Sequence, residues 1–149
     1  KSKVIKKLKE QNLDGLLMFR QESMYWLTGY DTFGYVYFQC LVLTSKGDLI
    51  LLTRVPDLRQ AQNTSIIKDI RIWVDKDKSN PTDELKNILS ELNLEKSNLG
   101  VEYEAYGLTG RNSIKLNDTK DLSVLELLFT VKIEFSLSIL NLIKLELYC

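Results

Sequence analysis

Residues 23–43 read Ser23-Met24-Tyr25-Trp26-Leu27-Thr28-Gly29-Tyr30-Asp31-Thr32-Phe33-Gly34-Tyr35-Val36-Tyr37-Phe38-Gln39-Cys40-Leu41-Val42-Leu43. The stretch opens on a compact turn, Leu27-Thr28-Gly29-Tyr30, and passes an aromatic loop, Asp31 to Tyr35. It ends in an apolar run of the kind that forms a buried strand. So much aromatic surface beside a glycine hinge needs a core or a partner to cover it. Tyr35 to Thr44 is rich in aromatic and β-branched residues and reads as one strand. Alternation along it places Tyr35 and Tyr37 on one face, Val36 and Phe38 on the other. One face is then core and the other an interface or ligand wall.

Downstream, Ser45-Lys46-Gly47-Asp48 is a hairpin turn and Leu49 to Thr53 the returning strand, so these two strands are antiparallel neighbours. Upstream, Ser23 to Gly29 reads as a single helical turn, capped by Ser23 and stopped by Gly29. Leu16 to Phe19 is a short, continuously apolar run, the pattern of a strand buried on both faces. Residues 3–12 carry Val4, Ile5 and Leu8 on one side with lysines between them, an amphipathic helix.

Beyond the hairpin, Pro56 to Thr64 has polar helical character, and Ile70 to Val74 is a fourth strand. Asn80 suits an N-cap and Pro81 the first helical position, with Leu85, Ile88, Leu89 and Leu92 as the buried stripe of the helix they start. Leu99 to Tyr103 is a fifth strand, Tyr106 to Leu116 a helix, and Leu122 to Leu128 a last strand. Helices alternating with strands around an embedded hairpin give an α/β fold with a mixed sheet. The expectation is a single domain over 1–149, with an atypical apolar tail at 123–149 that ought to be covered.

The 149 residues are 44% hydrophobic and 27% charged, which places the chain among globular domains and not disordered segments. Twenty basic and twenty acidic residues cancel, which argues against a nucleic-acid or membrane partner. No run approaches membrane-spanning length and no leader pattern is present, so the expected setting is cytoplasmic. Cys40 and Cys149 lie far apart, in keeping with a reducing compartment.

The sequence contains no histidine. That removes Ser-His-Asp and Cys-His catalysis and the usual general base near neutral pH. Glu102 and Glu104, two apart, would share one face of an extended segment and could bind a cation or move a proton, though solvation or salt bridging is the plainer reading. Asp75 and Asp77 are a similar pair. Gly107-Leu108-Thr109-Gly110 matches no phosphate loop, and Gly107 reads as a helix-start turn. The aromatics at 25–38 could stack on nucleic-acid bases, but no basic residue lies between Arg20 and Lys46.

The turn Tyr25-Trp26-Leu27-Thr28-Gly29, with the segments spaced after it, resembles the N-terminal domain of the creatinase/prolidase family, the Xaa-Pro peptidases with a pita-bread metallopeptidase domain. Asp14-Gly15-Leu16-Leu17-Met18, the hairpin Cys40 to Arg54 and Leu99-Gly100-Val101-Glu102-Tyr103 extend the likeness. Leu52-Thr53-Arg54, Asp57-Leu58-Arg59-Gln60-Ala61 and Ile70-Arg71-Ile72-Trp73-Val74-Asp75 are similar to the bacterial Xaa-Pro dipeptidase branch. Together these cover roughly residues 4–116.

The resemblance implies a mixed six-stranded sheet flanked by helices. It also implies a non-catalytic domain that pairs subunits and shapes the partner's substrate site. Two divalent metal ions would belong to a C-terminal domain, so no catalytic residue, metal ligand or cofactor is assigned to this chain. The implied partners are a second copy and the parent's catalytic domain. The loop that family members can present to the partner's substrate here holds Tyr30, Asp31, Phe33, Tyr35 and Tyr37. Creatinase offers an aromatic and an arginine at positions that fall on Tyr35 and Tyr37; the aromatic is kept and the arginine is not, which speaks against a creatine-like substrate. Past Leu116 the likeness fades, as a truncated or shifted reading frame would explain. The alternatives are a stand-alone interaction domain derived from such an enzyme, docking through its tail, and a small enzyme using Glu102 and Glu104.

Overall fold

Every residue of the neighbouring strands Gly15–Met18 and Cys40–Thr44 is apolar, glycine or threonine, and the reason is that both faces of the sheet are covered there. The computed structural model describes residues 1–77 and 79–117. In chain order it contains α1 (Ser2–Glu10), β1 (Gly15–Met18), α2 (Gln21–Thr28), β2 (Cys40–Thr44) and β3 (Leu49–Arg54). These are followed by α3 (Leu58–Thr64), β4 (Asp69–Trp73), α4 (Pro81–Glu91), β5 (Leu99–Val101) and α5 (Gly110–Asn117). Short 3-10 turns occupy Phe33–Val36 and Val55–Asp57.

The sheet order is β4-β3-β2-β1-β5. The middle three strands run antiparallel, with Cys40 opposite Leu52 and Leu17 opposite Val42. The two edge strands join in parallel, β4 on β3 and β5 on β1. The mixed α/β sheet flanked by helices is therefore present, with five strands among the described residues. The sixth strand expected at 122–128 and the apolar tail lie outside them.

Strand alternation divides the apolar residues into two cores. Leu17, Cys40, Val42, Ile50 and Leu52 face α4 and α5, joining Leu85, Ile88, Leu89 and Leu116. Leu16, Met18, Leu41, Leu43 and Leu51 face the opposite layer, joining Val4 and Leu8 of α1, Met24 and Leu27 of α2, and Ala61 of α3.

Local chemistry sets the helix ends. Gly29 closes α2 at φ +78°, and a side chain there would also stand 2.9 Å from the Thr64 carbonyl oxygen. Asn80 caps α4 as expected: its side-chain oxygen accepts from the Thr82 amide, with Pro81 in the first turn.

Several boundaries differ from the sequence reading, and four of them bear on the site. α2 begins at Gln21, with Ser23 inside the helix and not at its cap. β2 begins at Cys40 and not at Tyr35. β5 ends at Val101, and α5 begins at Gly110 with the Thr109 hydroxyl accepting from the Asn112 amide at 3.3 Å. Tertiary hydrogen bonds of Glu102 and Thr32 and the close approach of Gly107 to Tyr37 override local propensity at these places.

Candidate functional site

The segment between α2 and β2 is a folded loop and not the start of a strand. Its first residue, Tyr30, is expected at the surface of the presented loop, yet its side chain is fully buried. The Tyr30 hydroxyl donates to Gln39 Oε1 at 2.8 Å and lies 3.1 Å from Thr53 Oγ1. Burial raises the affinity of that phenol for its proton. Tyr30 is thus the root of the loop, and the structure takes it out of the exposed set.

Asp31 is exposed, and its amide donates to Thr64 Oγ1 at 3.1 Å. Thr32 then caps the 3-10 turn by accepting from the Gly34 amide at 2.9 Å. Its hydroxyl donates to buried Asp57 at 2.8 Å. Gly34 lies so close to the Asp57 carboxylate that no Cβ would fit. Asp57 also accepts from Arg54 Nε at 3.0 Å, and the Arg54 guanidinium lies 3.4 Å from the centre of the Tyr37 ring. Farther along, Trp73 Nε1 donates to the Phe38 carbonyl at 2.9 Å. One carboxylate, one guanidinium and one indole therefore hold the loop down.

This explains why Tyr35 and Tyr37 do not share the face of a strand. Phe33 to Val36 winds as a 3-10 turn, and the Gly107 backbone presses against the Tyr37 carbonyl so closely that a side chain at 107 would collide with it. Gly107 is thus required for close approach, where the sequence reading saw only a helix-start turn. Aromatic surface remains outside: Phe33 is 88% exposed, and Tyr35, Val36 and Tyr37 are about half exposed. Tyr35 meets Tyr106 edge-on at 5.9 Å between ring centres, and Tyr106 is itself 81% exposed.

Beside this surface lies an open groove of about 660 Å³. Phe19 to Glu22 with Tyr25 form one wall, Asp31 and Tyr35 the loop side, and Glu104 to Tyr106 the other wall. Three carboxylates, Glu22, Asp31 and Glu104, face a single guanidinium, Arg20, among aromatic rings. Such a surface can hold a ligand or a neighbouring chain; it contains no hydroxyl or thiol paired with a base.

The structure separates the paired glutamates. Glu104 is exposed on the groove wall, whereas the carboxylate of half-buried Glu102 turns inward. It accepts from the Phe19 and Arg20 amides, both at 3.2 Å, and from the Ser23 hydroxyl at 2.6 Å. Desolvation raises its pKa above the ordinary glutamate value, although these hydrogen bonds and the Arg20 charge pull the other way. Buried Cys40 has its thiol pKa pushed well up by desolvation and then by the Glu102 charge, so it is an inert core residue. Among the described residues no three histidine, cysteine or carboxylate side chains gather where a metal ion could be held. Among those residues no helix is long and apolar enough to cross a membrane.

Of the expected site residues, Asp31 and Tyr35 meet at the groove, Phe33 and Tyr37 stand beside it, and Tyr30 lies beneath. Arg54, Asp57 and Tyr106 are not among the expected site residues, and Glu102 is expected only as half of a carboxylate pair with Glu104. The Arg54–Asp57 spacing of three was the available signal for the first pair; Glu102 and Tyr106 join the site only through the return of β5 beside β1.

No curated protein sequence matches the chain. Among solved structures, it superposes on a dipeptidase from Pyrococcus horikoshii with a TM-score of 0.68 at 23% identity, over 85% of this chain and 33% of that one. The N-terminal domain of the Xaa-Pro dipeptidase from Lactobacillus brevis gives 0.71 at 13% identity, covering 89% and 96%. A proline dipeptidase chain from Streptococcus pneumoniae gives 0.69 at 17%, covering 91% and 94%. At such identities the likeness is one of fold. The chain spans about a third of the Pyrococcus protein. In sequence, the family model for the creatinase/prolidase N-terminal domain matches residues 1–125. The chain therefore belongs to the creatinase/prolidase N-terminal domain family.

Proposed function

We propose that this chain is the non-catalytic N-terminal domain of a metal-dependent Xaa-Pro peptidase-like hydrolase. In this reading it pairs two subunits and presents the Asp31–Tyr37 loop to the partner's substrate site. The family match over residues 1–125 carries the proposal. The exposed rings of Phe33, Tyr35, Tyr37 and Tyr106, held on a loop anchored from below, support it, since rigid aromatic surface is what a protein interface uses. Two divalent metal ions and the residues that bind them would lie in a catalytic domain outside these residues, and the setting would be the cytoplasm.

Two measurements test this. Sedimentation equilibrium of the 149-residue chain should give a dimer mass that falls toward the monomer in a Phe33→Ser/Tyr37→Ser variant. Assays on Xaa-Pro peptides should show no turnover with added Mn²⁺ or Co²⁺. Turnover that a chelator abolishes would refute the non-catalytic assignment, and a strict monomer would refute the pairing role.

A further inference from the structure

Glu102 is an ionisable side chain that ties the two walls of the groove together. It sits one residue past β5, where its own amide still donates to the Leu17 carbonyl at 3.0 Å. Its chain continues directly into the Glu104–Tyr106 wall. One carboxylate oxygen accepts from the amides of Phe19 and Arg20, which open the opposite wall. The other accepts from Ser23, in the first turn of α2. Ser23 is itself buried and cannot turn to water instead.

The chemistry of this arrangement is unusual in accommodating either protonation state. A carboxylate takes hydrogen bonds from all three donors. A carboxylic acid can keep both amides on one oxygen while its own proton is donated to the Ser23 oxygen, because a hydroxyl is donor and acceptor alike. Besides that reversal, the strength of the amide bonds changes, since those to an ionised acceptor are roughly twice as strong. The titratable groups facing Glu102 are the Arg20 guanidinium at the start of α2 and the Cys40 thiol on β2; Glu22 and Glu104 line the groove itself.

We propose that Glu102 is a proton-operated staple of the groove, gripping the Phe19–Arg20 edge firmly when ionised and loosely when protonated, with Ser23 reversing its hydrogen bond between the two states. Desolvation places the exchange above the ordinary glutamate range. The linkage has a definite sign. A folded-state pKa raised above the unfolded value contributes stability below the unfolded pKa, and that contribution is lost as pH rises through the folded one. The grip is therefore firm above the raised pKa and loose below it, while the protonated acid makes its contribution to stability at the low-pH end.

Amide spectra of the 15N-labelled chain, recorded from about pH 4 to about pH 8, test the staple, since an ordinary glutamate titrates near the bottom of that window. The Phe19 and Arg20 amides should shift together with one midpoint above the usual glutamate value. In Glu102→Gln the amide group should hold the same three partners, and both titrations should vanish while the Tyr35 and Tyr106 ring signals stay in place. Ser23→Ala removes a hydrogen bond that favours the ionised form and should move the midpoint upward. Flat amide signals in the native chain, a titration that survives Glu102→Gln, or a Ser23→Ala midpoint that moves down would overturn the proposal. If Glu102→Gln does not fold, the native and Ser23→Ala titrations decide it alone. The outcome does not depend on dimerisation, so it stands or fails separately from the pairing role.

Discussion

Removing the Asp57 carboxylate should unlatch the aromatic loop, and the cost can be worked from its partners. Asp57 is buried and takes a hydrogen bond from Thr32 at 2.8 Å and one from Arg54 at 3.0 Å. A hydrogen bond to a charged group contributes about 1.5–3 kcal/mol, and stranding one member of a buried ion pair costs about 3–5 kcal/mol. Here the Arg54 side chain is 14% exposed and keeps its place on the Tyr37 ring, so it recovers some solvation when its partner is lost. Asp57→Ala should therefore fall below that range, at about 2–3 kcal/mol by urea unfolding. Arg54→Met should cost a similar amount, because it leaves the buried carboxylate with Thr32 alone. The double variant strands neither charge and should cost less than the sum, giving a coupling of about 1–2 kcal/mol. The Tyr37 ring signals should shift in every variant lacking Arg54, while those of Trp73, across the sheet edge, stay fixed. A coupling below about 0.5 kcal/mol, within the additivity expected of independent sites, would refute the latch. So would a full loss of stability with Tyr37 unmoved.

Gly107→Ala should drive a methyl group into the Tyr37 carbonyl and destabilise the fold by about 1–3 kcal/mol, with a visible change in the Tyr35–Tyr106 ring contact by NMR. Tyr30→Phe leaves Gln39 and Thr53 without their hydroxyl partner in a dry site and should cost about 1–3 kcal/mol in urea, with little change of fold by circular dichroism. Leu51→Ala, at the centre of the middle strands, should cost about 3–5 kcal/mol by the same assay. Cys40 should resist a thiol reagent in the native chain and react only on unfolding, which mass spectrometry after timed exposure can read.

The sheet was legible wherever apolar residues ran continuously or turns carried their own signal. Leu16 to Met18, Cys40 to Thr44 and Leu49 to Thr53 are apolar runs with one hairpin turn, and α4 announces itself with Asn80 and Pro81. In such segments local preference and burial point the same way. The loop between α2 and β2 was not legible, because Tyr35, Val36, Tyr37 and Phe38 have the composition of a strand. What keeps them out of the sheet is distant in sequence: Asp57 against Gly34, Gly107 against Tyr37, and Trp73 bonded to Phe38. Each is a contact that forms only once β3, β4 and β5 have taken their places.

Glu102 shows the same limit from the side of the site. In sequence it was half of a pair with Glu104, and extended backbone would have put both on one face. The structure ends β5 at Val101, two residues earlier, and turns the Glu102 side chain toward three donors contributed by Phe19, Arg20 and Ser23. Two identical side chains, two residues apart, thereby acquire opposite environments: one wet on the groove wall, the other desolvated behind it. The parallel pairing of β5 with β1 creates that difference, and it is also what brings Tyr106 to Tyr35. Carboxylate spacing therefore says little about this chain until the strand order is known, whereas the aromatic residues mark their surface early because no core position could hold them all.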